Sequence, residues 1–164
     1  MKIIVDEEKQ FKEIYLRNID MVYRVCFIYF KGNKASVEDA VQSTFLQLLK
    51  KKMTFENEEH EKAWLIKVAS NICKNMLKLK SNNNLSIEEL DLEIKDTTKD
   101  TSYILDAVFS LPDKYKTVIY MHYYEGYSGV EISKILNIPE NTIYSYLSKG
   151  RSLLKDILKE DYYE

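Results

Sequence analysis

Apolar residues recur at alternating steps of three and four along most of this chain, and little interrupts them. The clearest run is "SVEDAVQSTFLQLLKK", where Val37, Ala40, Val41, Thr44, Phe45, Leu48 and Leu49 fall on one side of a helix. A helical period places such a stripe on one face, and that face must be buried against another element. With 4 Gly and 2 Pro in 164 residues there are few backbone breaks, and no run of strict alternation marks a strand. The expected fold is all-α.

The same period divides the chain. A first helical stretch from about Asp6 carries Phe11, Ile14, Ile19, Val22, Val25, Cys26 and Tyr29 and ends near Gly32. The next helix is expected to open at Ser36, where "SVED" resembles a capping box closed by Asp39. A third, from about Glu59 to Lys80, has Trp64, Leu65, Val68, Ala69, Ile72, Met76 and Leu77 as its apolar face. "SNNNLSIEELDLEIKDTTKD" is polar and acidic and reads as a linker. Helical patterning resumes at Ser102 with "SYILDAVFSL", and Pro112 can open the next helix, which Gly126 stops. "SGVEISKIL" begins with a capping box of Ser128 and Glu131, and Asn137 suits the left-handed residue of a tight turn. The last helix follows, with "EDYYE" as a frayed acidic end. The expected organisation is two small helical domains, residues 1–80 and 102–164, joined by a flexible acidic linker, 81–101.

The final pair of helices carries the most specific pattern. "EISKILNIPENTIYSYLSKGR" has the spacing of a helix-turn-helix: Ile132 buried early in the first helix, Ser133 small where the helices cross, "LNIP" as the turn, and Ile143 and Leu147 as anchors of the second helix. Asn141, Thr142, Tyr144, Ser145, Ser148 and Lys149 are then left facing outward, where amides and hydroxyls can bond to bases or phosphates. An αα-hairpin with a polar outer face fits the same spacing. The charge is low for a DNA reader: the segment holds Lys134, Lys149 and Arg151 against Glu131 and Glu140. The net charge of −2 is unevenly spread, at +4 for residues 1–80, −4 for 81–101 and −2 for 102–164.

Two further faces are candidates. Asn71, Lys74, Asn75 and Lys78 lie three or four apart on the third helix, two amides between two lysines, as nucleic acid or a solvated face would have them. Just before it, Phe55 can stack on a base and Asn57 can reach a base edge, or Phe55 can close the core. The second helix shows Leu46 among Glu38, Asp39, Gln42, Ser43 and Gln47, either a protein-contact patch or ordinary surface.

Catalysis finds no support. His60 and His122 lack cysteines at metal-ligand spacing, and there is neither a phosphate-cradling glycine loop nor a nucleophile elbow. No catalytic residue, metal or cofactor is expected. Cys26 and Cys73 sit inside apolar helical patterns and read as reduced core thiols. The opening "MKIIVDEEKQF" is too short an apolar run for a signal peptide, and no stretch is long and apolar enough to insert directly in a membrane. A cytoplasmic protein is expected.

Taken together and in order, three motifs resemble the extracytoplasmic-function (ECF) class of bacterial RNA polymerase sigma factors, from about Phe11 to Leu158. "VEDAVQSTFLQLLKK" is similar to the family's core-binding helix, Asp-x-x-Gln-x-x-Phe, here Asp39, Gln42 and Phe45. "AWLIKVASNICKNMLK" is similar to its "WLyrIArN" helix through Trp64, Leu65 and Asn71. "LPDKYKTVIYMHYYEGYSGVEISKILNIPENTIYSYLSKGRSLL" is similar to its C-terminal helix-turn-helix domain. The resemblance implies a transcription-initiation subunit. Asp39, Gln42, Phe45 and Leu46 would bind core RNA polymerase. Phe55, Asn57, Asn71, Lys74, Asn75 and Lys78 would face the −10 element of promoter DNA. Asn141, Thr142, Tyr144, Ser145, Ser148, Lys149 and Arg151 would face the −35 element, the linker would thread through the polymerase, and an anti-sigma factor is a further expected partner. The family's recognition helix usually has cations where this chain has Tyr144 and Tyr146, and an Asp-x-x-Arg pair where it has Asn75 and Lys78. Two other readings fit parts of the pattern: a stand-alone helix-turn-helix regulator, and a degenerate sigma-like protein that only binds an anti-sigma factor.

Overall fold

The computed structural model describes residues 2–31, 33–82 and 105–163, with side chains described over 7–31, 33–81 and 105–159. Gly32 and residues 83–104, which hold nearly all of the expected linker, lie outside the described residues, as do the side chains of "EDYYE".

The first group of helices is α1 (Lys2–Phe30), α2 (Lys34–Lys51) and α3 (Glu58–Asn82). Their apolar stripes close on each other: Val22, Val25 and Cys26 of α1 meet Val37, Ala40 and Phe45 of α2 and Leu65, Ile66 and Cys73 of α3, all buried. α2 starts earlier than the sequence suggests. Its cap is Asn33, whose side chain accepts the Ser36 N–H at 3.0 Å. Ser36 is inside the first turn and buried, and its hydroxyl accepts from the Lys80 ammonium of α3. Lys52, in the left-handed region at φ 45°, ends α2. Leu49, placed on the buried stripe by period alone, is half exposed. α1 and α3 are also tied by charge. The Glu61 carboxylate, buried in the first turn of α3, receives both Arg17 nitrogens at 3.0 and 2.9 Å and the Asn18 amide at 2.6 Å. The helix N-terminus favours an anion at that position.

The second group is α4 (helical over residues 105–109), α5 (Asp113–Ile119), α6 (Gly129–Leu136) and α7 (Glu140–Tyr163). Pro112 caps α5, and α5 runs on into a wide π turn over Tyr120–Tyr124 that Gly126, at φ +82°, releases. The capping box at Ser128 and Glu131 is present with both hydrogen bonds, at 3.1 and 3.0 Å. Asn137 is left-handed at φ 57°, and the Ser133 hydroxyl donates to the Ile138 carbonyl across the turn. α7 is helical through Tyr163.

The two groups share one apolar core and are joined beside it by a polar seam. Glu125, at the end of the π turn, pairs with Lys62 of α3 and with Arg24 of α1 at 3.8 Å, and accepts the Tyr120 hydroxyl. Arg24 also donates to the Tyr120 oxygen at 3.4 Å and lies 5.1 Å over the Tyr124 ring. The Tyr29 hydroxyl bonds to Thr117, and buried Lys116 pairs with Asp113 at 3.0 Å beneath the Tyr29 and Phe109 rings. Lys31, in the turn after α1, reaches Asp106 of α4 at 3.7 Å.

Burial raises the hydroxyl pKa of Tyr29, Tyr120 and Tyr127, the last to about 12. Their ordinary value is 10.0, so the unfolded chain gives up these protons first. Their contribution to stability is complete below pH 10 and is lost as pH rises through the folded values. Burial lowers Lys74 and Lys116 from 10.5, so these two act in the opposite sense just below that value. The larger tyrosine shifts dominate. The Cys73 thiol is also raised, from 9.0, and acts in the same sense from a lower pH, so the melting temperature should hold to about pH 8 and fall steadily between about pH 8.5 and 12. Calorimetry across that range checks this, and a flat profile through pH 12 contradicts it.

Candidate nucleic-acid and protein interfaces

A cleft of about 570 Å³ opens between α1 and α2. Gln42, Leu46 and Leu49 form one wall and Tyr15 and Tyr23 the other. Phe45 is its floor: it is buried, with the Tyr15 ring 4.8 Å away and the Phe11 ring 6.4 Å away, both edge-on. The stripe period explains the division. Phe45 points into the bundle, and Leu46, one residue on, points out at 47% exposure. Of the four residues expected here, Gln42, Phe45 and Leu46 are brought together at the cleft. Asp39 is exposed on α2 outside the lining. Phe45 therefore shapes the cleft and offers little surface of its own. Sequence reading missed Tyr15 and Tyr23; their signal was two aromatics at i and i+8 beside, not on, the α1 stripe.

Asn71, Asn75 and Lys78 stand exposed along α3, as expected. Lys74 departs from them. It is half buried toward the second group of helices, and desolvation lowers its pKa, partly offset by the Asp113 charge. The approach to α3 is set by packing: Asn57 accepts the His60 N–H at 2.8 Å and so caps the helix, and Phe55 packs on Trp64 at 5.8 Å and on His60 at 5.4 Å. The carbonyl oxygen of the Asn57 side chain is engaged in that cap, which leaves its amide nitrogen for another partner. Phe55 is half buried, with part of its surface open.

Ile132 of α6 and the two anchors of α7, Ile143 and Leu147, are buried as expected. Asn141, Tyr144, Ser148, Lys149 and Arg151 are exposed, and Thr142 and Ser145 are half buried. The two tyrosines differ. Tyr144 is 51% exposed. Tyr146 is half buried against Tyr115, with the rings 5.3 Å apart and edge-on, so it is a packing residue rather than an outward position lacking its cation. Gly150 is buried because α5 lies against it: a Cβ there would come within 2.7 Å of the Ile119 side chain.

Among the described residues, no group of three or more His, Cys, Asp and Glu is placed to hold a metal ion. Cys26 and Cys73 are buried free thiols, and the hydrogen bond that the Cys73 thiol donates to Cys26, together with burial, raises the Cys73 pKa and keeps it protonated. No helix among the described residues is long and apolar enough to cross a membrane.

Comparison with known proteins agrees with this arrangement. Residues 14–82 match the model of sigma-70 region 2, and residues 101–154 match that of sigma-70 region 4. The chain is 30% identical over 144 residues to the RNA polymerase sigma factor SigV of Bacillus subtilis (strain 168), covering 85% of this chain and 86% of that one. It is 27% identical over 163 residues to the ECF RNA polymerase sigma factor SigW of the same organism, covering 86% and 84%. In fold it is similar to the sigma factor RpoE of Bartonella quintana, solved in complex with the anti-sigma factor NepR, at a TM-score of 0.73 and 22% identity, over 92% of this chain and 98% of that one.

Truncation of the cleft floor and of its wall should separate stability from surface. Phe45→Ala should cost about 3–5 kcal/mol of folding stability, as deleting a buried aromatic does. Gln42→Ala and Leu46→Ala should each stay within about 0.5–1 kcal/mol. Urea denaturation of the three variants measures this; equal losses at Phe45 and Leu46 would contradict the division between floor and wall.

Proposed function

The chain belongs to the sigma-70 family and is an ECF-type RNA polymerase sigma factor, and from that premise we propose which of its surfaces does which part of the work. It binds core polymerase, directs it to promoters and supports initiation. The core-binding surface is the α1–α2 cleft with Gln42 and Leu46, flanked by Asp39 and shaped by Phe45. Its support is an open apolar cleft with one amide on its wall and carboxylates at its side, a composition suited to a protein partner. The −10 surface is the exposed edge of α3, with Asn71 and Asn75 toward bases, Lys78 toward phosphate, and Phe55 and the Asn57 amide nitrogen at its approach. The −35 surface is the outer face of α7, with Asn141, Thr142, Tyr144, Ser145 and Ser148 toward bases and Lys149 and Arg151 toward phosphates. We place the functional domain limits at 1–80 and 102–164, with 81–101 as the connection.

These two DNA surfaces cannot both reach a promoter in the packed arrangement. Elements centred at −10 and −35 lie about 25 base pairs apart, roughly 85 Å of duplex. A packed chain of this length has a radius of gyration of about 15 Å. Reading both elements at once requires the seam to part, which would also release Lys74 as a further phosphate contact. The ion pairs of the seam regain water when it parts, which offsets part of their separation, while the apolar core shared by the two groups sets the remaining cost. The similar RpoE chain is solved with an anti-sigma factor, and a protein partner of that class is proposed for this chain too.

Transcription reconstituted from core polymerase, the purified chain and promoter DNA tests the reading. Specific transcripts should depend on the chain, and Asp39→Ala with Gln42→Ala should weaken core binding at least about tenfold while helical content is unchanged. Wild-type core affinity in that double variant would remove the cleft assignment.

A further inference from the structure

Gly129 is the first residue of α6, directly after the Ser128 cap. Its backbone does not call for glycine: among the described glycines only Gly126 has a positive φ. Glycine is also among the weakest helix formers. What a side chain would meet there is Tyr144. A Cβ on Gly129 would come within 2.8 Å of Tyr144 Cε1, 3.0 Å of Cζ and 3.3 Å of the hydroxyl. The Tyr144 ring therefore lies against the bare backbone of α6. About half of Tyr144 stays open, on the α7 face that also carries Asn141, Ser145 and Ser148.

We propose that Gly129 is a positioning residue for promoter specificity: the room it leaves seats the Tyr144 ring so that its open side meets a thymine methyl of the −35 element. Apolar side chains read that methyl group in the major groove, where no other base offers one. A seated ring has fewer orientations to lose on binding, so the contact discriminates better than a free one would. The inference rests on α7 being the −35 helix. The ring's far end is mobile about two torsions, so a methyl group at Gly129 displaces the ring and leaves the backbone in place. Alanine is also the better helix former.

The test uses holoenzymes carrying the wild-type chain, Gly129→Ala, Gly129→Ser, Tyr144→Ala, or Gly129→Ala with Tyr144→Ala. Each transcribes a promoter library randomised over the −35 element with the −10 element fixed. Tyr144→Ala should reduce the preference for thymine at one position about fivefold or more. Both Gly129 variants should reduce it at that same position, and the double variant should lose no more than Tyr144→Ala alone. Gly129→Ala should melt at or above the wild-type temperature. If Tyr144→Ala shifts one position while both Gly129 variants keep the wild-type profile, the positioning role is overturned and the −35 reading stands. If Tyr144→Ala changes no position, the proposal falls together with its assumption about Tyr144. A Gly129→Ala chain that melts several degrees lower and transcribes all promoters equally less would make Gly129 structural only, and overturn the proposal.

Discussion

The carboxylate of Glu125 joins the two halves of the molecule. Its side chain is 7% exposed, and Arg24, Lys62 and the Tyr120 hydroxyl converge on it from three elements. A charge so far from water is tolerated only when paired and hydrogen-bonded, and removing any one partner leaves the others with an unmet desolvation cost. The surroundings follow from that requirement. The π turn ends at Tyr124 with the Glu125 N–H on the Tyr120 carbonyl, which delivers Glu125 to the seam. Tyr120 and Tyr124 stack 5.2 Å apart and make the shelf on which the Arg24 guanidinium lies. Lys62 comes from the first turns of α3, the part of that helix fixed to α1 by Glu61.

On the surfaces proposed, this seam would divide the labour in the sigma factor. The packed state half covers Lys74 and leaves the α1–α2 cleft open, so the surface proposed for polymerase is available before the surfaces proposed for DNA are complete. The helix-turn-helix is held by Ile132, Ile143, Leu147 and the Tyr115–Tyr146 contact, all apolar or aromatic. Its packing therefore needs no cation, and its low count of cations limits grip on phosphate without limiting shape.

Much of this was legible in the residues. The stripe of α2 as far as Leu48, the anchors of the helix-turn-helix, the Ser128 box and the left-handed Asn137 follow from local rules, and each is found as expected. What escaped depends on contacts distant in sequence. Ser36 does not cap α2: Asn33 takes that place, and Ser36 is covered by α3, which supplies Lys80 to its hydroxyl. Lys74 shares a helical face with Asn71 and Lys78, yet the period of one helix carries no information about which turn a second group of helices will cover. Tyr146 looks outward in the family's motif and is turned in by Tyr115, thirty-one residues upstream. Glu125 sits just before Gly126, at the end of the helix the sequence predicts, and only the packed structure reveals it as the hub of the seam.

The central claim is that a helix-turn-helix poor in cations reads the −35 element as part of polymerase and not alone. Residues 102–164 carry a balance of −2, with Lys149 and Arg151 as the phosphate contacts proposed for the −35 surface. Core polymerase would make the same contact effectively intramolecular by holding DNA beside it. The direct measurement is a salt titration of −35 duplex binding by the free chain and by the holoenzyme. The account predicts weak binding by the free chain at physiological salt and tight binding by the holoenzyme; tight, sequence-specific binding by the free chain at that salt would contradict it.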